Sequence, residues 1–217
     1  MQDLLIDLDN TVYPENSNIF SLIDIRMKSF ISKNLNVSLE KSYEIQKKYF
    51  MENGTTLKGL MLYHNIKPEP FLNYVHDIDL SSIQKNPKLI TVLKEYNGKK
   101  IIFTNGSQDH AIKVLKRVGI EQYINDIFDI IDAKYIPKPE IVTYKKVLKK
   151  FNLIPEKTIM IDDLLSNLKT AKELGINTVL INQKHDSKNS HNYINLVCSN
   201  LLETIIKINE GKINESN

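Results

Sequence analysis

Four clusters of polar residues, three of them directly following apolar runs, carry the chemistry for which this chain is equipped. Leu4-Leu5-Ile6 leads into Asp7 and Asp9, Ile101-Ile102-Phe103 into Thr104, Asn105 and Gly106, and Met160-Ile161 into Asp162 and Asp163, while Lys138 stands between Pro137 and Pro139. Two carboxylates spaced two apart at a strand end repel each other and must both be desolvated, a conflict that a cation or a shared substrate resolves. Taken alone, Asp9-Asn10-Thr11 also reads as an Asx-capped turn. The other clusters count against that reading, because ligand sites in open α/β sheets form outside the carboxyl ends of the strands.

Carboxylates converging with one lysine suit a hard cation that handles an anionic substrate. Mg²⁺ prefers one or two protein carboxylates, a backbone carbonyl, water and substrate phosphate oxygen, and Asp7, Asp9, Asp162 and Asp163 are its candidate ligands. One oxygen of Asp7 can hold the ion while the other attacks phosphorus. Asp9 is then the general acid and later the base, and its acidic neighbours are expected to keep its proton on. Lys138 neutralises charge on Asp7 and on the transferred group. The Thr104 hydroxyl and the backbone N–H groups of Asn105 and Gly106 are placed to hold the equatorial oxygens. The sum is covalent phosphoryl transfer with hydrolysis of an aspartyl phosphate.

The elements that position these residues follow from periodicity. Strands are expected at the start of the chain, at 99–103, 127–131, 158–161 and 177–181, alternating with helices, and this pattern implies right-handed crossovers and a mostly parallel sheet covered on both faces. Ser38, Asn86-Pro87 and Ser107 start helices, and Gly98, Gly119 and Gly175 are expected to stop them. Residues 16–80 show only helical spacing, too long for an ordinary crossover, and so form an inserted helical cap. The α/β core then comprises 1–15 and 81–208. After a polar stretch to Ser190, one helix from Cys198 to Ile208 is expected to flank the sheet, and 209–217 to fray.

Composition sets outer bounds. The chain has 217 residues, a formal charge of +3 spread along its length, and one cysteine, Cys198. A disulfide within the chain is excluded, and the dispersed lysines read as solvated surface rather than a nucleic-acid footprint. No apolar stretch is long enough for a membrane span and no export signal opens the chain, so a cytoplasmic location is expected.

The motifs resemble those of the haloacid dehalogenase-like phosphohydrolases. The resemblance implies an α/β fold, a Rossmann-like parallel sheet with an all-helical cap of type C1 inserted after the first strand. It also implies that Asp7 is the nucleophile, Asp9 the acid/base, Thr104 and Lys138 the second and third motifs, and Asp162 and Asp163 the magnesium-holding pair. The match continues through Asn167, Ala171, Lys172 and Gly175. Asp9-Asn10-Thr11-Val12-Tyr13-Pro14, the stretch from Gly54 to Leu60 and that from Val75 to Leu80 are most similar to the pyrimidine 5′-nucleotidase branch, which implies a pyrimidine nucleoside monophosphate as substrate. Another small phosphate such as a sugar phosphate would suit the same core under a differently shaped cap. Thr55, Thr56, Lys58 and His76 are then the candidate cap residues that choose the leaving group. Leu164, where many members carry a small polar residue, and Val12, which replaces the usual leucine, depart from the pattern. Tyr43, Tyr49 and Phe50 read as cap core, and His64, His110, His185 and His191 as ordinary helix or surface residues. A phosphomutase, a dehalogenase, a receiver-type domain and a non-catalytic binding module are the rivals. The retained Asp7, Asp9, Lys138 and Asp162 weigh against the last.

Overall fold

The computed structural model describes residues 2–182 and 191–214. Its chain order is β1 (Asp3–Ile6), α1 (Ile19–Leu35), α2 (Leu39–Asn53), α3 (Thr56–His64), α4 (Pro68–Val75), α5 (Pro87–Glu95), β2 (Lys100–Phe103), α6 (Gln108–Val118), β3 (Asp126–Phe128), α7 (Ile141–Phe151), β4 (Thr158–Asp162), α8 (Leu165–Glu173), β5 (Asn177–Ile181), β6 (Leu196–Cys198) and α9 (Leu201–Asn209). The strands form one sheet in the order β3-β2-β1-β4-β5-β6, every pair parallel. Leu4, Leu5 and Ile6 are wholly buried, as are Ile159, Met160 and Ile161 beside them, which is the apolar continuity a strand covered on both faces requires. The order reverses at β1, so β2 and β4 flank it and their ends open a crevice.

Helix starts follow their caps. Ser38 accepts from the Lys41 N–H, Thr55 from Lys58, Asn86 from Leu89, Ser107 from His110 and Asn200 from Glu203, each satisfying a first-turn donor. α1 to α4 form the helical cap between β1 and α5. Its interior holds Ile23, Phe30, Tyr49, Leu60 and Phe71, with the Phe30 and Phe71 rings edge to face at 5.2 Å. Gly59 lets α3 lie directly on α2, since a Cβ there would fall 2.4 Å from Tyr49 Cβ.

Several expectations are corrected. Gly98 does not cap a helix: α5 ends at Glu95, with Tyr96 already extended. A Cβ on Gly98 would sit 2.1 Å from the Gln2 carbonyl oxygen, so this glycine serves a close backbone approach. β3 stops at Phe128 because the Asp129 carboxylate accepts from the N–H groups of Gln108, Ile131 and Asp132 and turns the chain. Cys198 ends a sixth strand rather than starting a helix, and the helix begins at Leu201. Over 209–214 the chain, expected to fray, forms a further helical turn at Lys212–Asn214 with Ile213 buried. Tyr43 and Phe50 are about half exposed, and only Tyr49 of that trio is buried. The polar stretch at 184–190, with His185, and residues 215–217 lie outside the described residues.

Candidate active site

Asp7 follows β1 directly, its N–H continuing the ladder to the Ile161 carbonyl at 2.9 Å. This places its carboxyl beside the end of β4. Lys138 Nζ bridges the two strands, 2.7 Å from Asp7 Oδ1 and 2.8 Å from Asp162 Oδ2, and is only 1% exposed. Asp162 is further held by Asn167 Nδ2, 3.0 Å from both its oxygens, and by the Leu164 N–H. Lys138 is carried on a loop pinned to the end of β2: its N–H donates to Asn105 Oδ1 and its carbonyl accepts from Asn105 Nδ2. The Asn105 side chain is therefore a clasp for the lysine. Thr104 Oγ1 accepts the Gly106 N–H at 2.9 Å, so that N–H turns inward and leaves the threonine hydroxyl proton to donate outward.

Asp7, Asp162 and Asp163 each offer a carboxylate oxygen, and these lie within 4.8 Å of one another. Three hard oxygen donors against one lysine are under-neutralised. Burial, together with the neighbouring Asp162 and Asp163, pushes the Asp7 carboxyl well above its ordinary range although Lys138 pulls it down. Burial and Asp162 push Asp163 up to about 7. For Lys138, burial alone would lower the ammonium, but Asp162 and Asp7 outweigh it and keep the group charged. This donor set fits a hard divalent cation.

Asp9 departs from expectation twice. Its carboxyl lies outside the three-carboxylate cluster and turns instead to Tyr13, whose hydroxyl donates to Oδ1 at 2.5 Å, and to His110, whose Nε2 is 3.0 Å from the same oxygen. Burial alone would raise its pKa, but His110 and the Tyr13 hydroxyl outweigh burial and hold it below the usual range. His110 is thus no ordinary surface residue. It is 1% exposed, and its ring stacks on His76 at 4.3 Å and 9°. Burial, with His110 beside it, lowers the His76 imidazole to about 3. Asp77, the next residue in the chain, pairs with Arg26.

Above these groups the cap encloses a cavity of about 250 Å³. Asp7, Asp9, Thr104 and Lys138 line its floor, and Phe20, Phe50 and Phe71 its cap side. Thr55, Thr56 and His76 line it; the Thr55 hydroxyl caps α3 and that of Thr56 donates to the Gln46 carbonyl. Lys58 does not line it; its ammonium pairs with Glu140, 3.2 Å away. Leu164, next to Asp163, also lines the cavity and is 41% exposed. Gln46, Asp24 and Lys47 also line the cavity and escaped sequence reading, because nothing in a helical spacing says which face looks down on the core. For His110 a signal existed: it sits one turn after the Ser107 cap, on the helix that leaves a site-bearing strand.

The sequence matches the family model for haloacid dehalogenase-like hydrolases over residues 4–175, and the chain belongs to that family. At 26% identity it resembles the glyceraldehyde 3-phosphate phosphatase of Methanocaldococcus jannaschii, over 94% of this chain and 96% of that one. Among solved structures, a HAD phosphatase from Thermococcus onnurineus superposes with TM-score 0.62 at 19% identity, over 100% of this chain and 99% of that one. A 2-haloacid dehalogenase from Pseudomonas syringae pv. Tomato superposes equally well, TM-score 0.63 at 15% identity, covering 97% and 99%. One fold hosts both chemistries, so the choice between them rests on the site.

Proposed function

We propose that the protein is a Mg²⁺-dependent phosphomonoester hydrolase acting on a small phosphorylated carbohydrate through an aspartyl phosphate on Asp7. The observation that carries this is the buried set of Asp7, Lys138 and Asp162 with Asp163 at the floor of a capped cavity. Asp7, Asp162 and Asp163 would hold the ion, which when bound offsets the negative charge of carboxylates and phosphate. Lys138 keeps one oxygen of Asp7 occupied, so the other attacks phosphorus as the bridging P–O bond breaks. The Thr104 hydroxyl donates to an equatorial oxygen. Asp9 gives its proton to the leaving oxygen and then takes one from the water that hydrolyses the aspartyl phosphate. In the free protein Asp9 is held ionised by His110 and Tyr13; an arriving phosphate dianion raises its proton affinity by like charge.

The substrate class is supported by the phosphatase resembled over nearly the whole chain, whose name specifies a triose phosphate. Pyrimidine nucleoside monophosphates are the second reading, favoured by Phe20, Phe50 and Phe71, three rings that could face a base. The test is phosphate release with Mg²⁺ against triose, hexose and pentose phosphates, UMP, CMP and AMP, with Asp7→Asn as the blank. Preferential turnover of a sugar phosphate, abolished in the blank, is expected. Preference for UMP and CMP would transfer the assignment to nucleotides, and no turnover of any ester would overturn it.

A further inference from the structure

Two side chains that the phosphoryl-transfer scheme leaves idle grip the Asp9 carboxyl, and both take the same oxygen. The Tyr13 hydroxyl and His110 Nε2 each meet Oδ1, and among the described residues no hydrogen bond reaches Oδ2. The two holders are 2% and 1% exposed, whereas the Asp9 side chain is 18% exposed and lines the cavity. The bonded oxygen is therefore the one turned into protein, and the free oxygen is the one left for substrate.

Each holder is itself fixed by a different part of the chain. The Leu8 carbonyl accepts from the N–H groups of Thr11 and Val12, folding the loop back so that Tyr13 returns to Asp9. His110 stands in the first turn of α6, whose cap Ser107 also meets His76 Nδ1 at 3.0 Å. The stacked His76 ring covers the face of His110, so the imidazole cannot swing away from Asp9 without breaking that stack. A carboxyl bonded at one oxygen by two donors on separate elements loses its freedom to swivel about the Cβ–Cγ bond.

We propose that Tyr13 and His110 are positioning residues that fix Asp9 Oδ1 and thereby reserve Oδ2 as the oxygen that carries the proton to the leaving group. The inference rests on the phosphatase reading above. In the step concerned, a free oxygen of Asp7 forms a bond to phosphorus and the bridging P–O bond breaks. Its electron pair stays on the leaving oxygen, which takes the proton from Asp9 Oδ2, and Asp9 is left as a carboxylate. Water later returns that proton to Oδ2 as its oxygen attacks the aspartyl phosphate. Misdirecting Oδ2 slows hydrolysis of the aspartyl phosphate for every ester, but in kcat/KM, which reports the steps up to departure of the leaving group, it harms only esters whose leaving group needs the proton.

That selectivity is the test. kcat/KM is measured with Mg²⁺ for 4-nitrophenyl phosphate, whose leaving group departs readily unprotonated, and for benzyl phosphate, similar in shape but leaving as an alkoxide. Tyr13→Phe, which removes one oxygen atom, His110→Ala and His110→Gln are compared with wild type, with Asp9→Asn as the reference for complete loss of the acid and circular dichroism to follow folding. Tyr13→Phe and His110→Ala are expected to lose at least about tenfold more on benzyl phosphate than on 4-nitrophenyl phosphate, a share of what a general acid supplies. His110→Gln, whose amide can still donate, is expected to recover part of the difference. Equal losses on both esters in the two variants, or none, would mean that the bonds merely satisfy a buried carboxyl, and would overturn the proposal alone. A wild type inactive on both esters would overturn the phosphatase reading and the proposal with it.

Discussion

Replacing Lys138 with methionine tests whether charge, rather than packing, holds the strand ends together. The ammonium lies 2.7 Å from Asp7 Oδ1 and 2.8 Å from Asp162 Oδ2, all three groups buried. At an effective dielectric of about 20, each contact is an attraction of about 6 kcal/mol. Desolvating the ammonium cancels several kcal/mol of that sum, and removing one partner of a buried pair typically leaves a net cost of about 3–5 kcal/mol. For a chain of this size that lowers the thermal midpoint by about 6–20 °C. Methionine fills most of the same volume over the Phe103 ring, against which Lys138 Nζ now sits at 5.1 Å, so little of the loss comes from a cavity. The pH dependence separates charge from packing. Without the lysine, Asp7 loses the neighbour that pulls its proton affinity down, so its folded pKa lies further above the unfolded one and stability drops as pH rises. Thermal or urea melts of wild type and Lys138→Met, in chelator at pH 5 and pH 8, should show the larger deficit at pH 8. A deficit below about 1 kcal/mol, or one equal at both pH values, would refute the electrostatic account.

Two further outcomes follow from the same geometry. Asp7 and Asp163 have folded pKa values raised chiefly by burial, Asp163 to about 7, so the ion-free protein holds protons there that the unfolded chain has released. Their contribution to stability therefore falls as pH rises from about 4 through 7, and the rise in midpoint on adding Mg²⁺ should be larger at pH 8 than at pH 5.5; differential scanning fluorimetry with and without the ion reads this directly. In the cap, Gly59→Ala places a Cβ 2.4 Å from Tyr49 Cβ, too close for a side-chain tip to relieve, and should cost about 1–3 kcal/mol. The same variant should raise KM, because α2 and α3 both line the cavity, while circular dichroism shows the core intact.

The parts of this molecule legible in the sequence are those whose cause is local. Ser107 capping α6, Gly119 ending it with φ +86°, and the buried runs of β1 and β4 each follow from a few neighbouring residues. What local sequence does not reveal depends on a distant partner. Gly98 is required by the main chain of Gln2, and no feature near Gly98 distinguishes that from a helix stop. β6 is three residues long, lies at the sheet edge and leaves Val197 40% exposed, so it offers neither alternation nor a continuous buried run. Lys58 lies among cap residues that reach the cavity, and only its distance from Glu140 shows that it faces elsewhere.

Asp9 shows the same limit at the centre of the site. Counted along the chain its neighbours are acidic, with Asp7 two residues away, and that count predicts a carboxyl slow to give up its proton. In the fold β1 ends at Ile6, and the turn closed on the Leu8 carbonyl separates the two side chains. Asp7 stays with Lys138 and the β4 carboxylates, while Asp9 enters the company of Tyr13 and His110, the latter supplied by a helix about a hundred residues later. Those partners reverse the sign of its shift. Two carboxylates of identical type, two positions apart, thus acquire opposite electrostatic settings from the turn that parts them and from the partners each then meets. In the mechanism proposed above, this separation lets one serve as nucleophile and the other as acid and base.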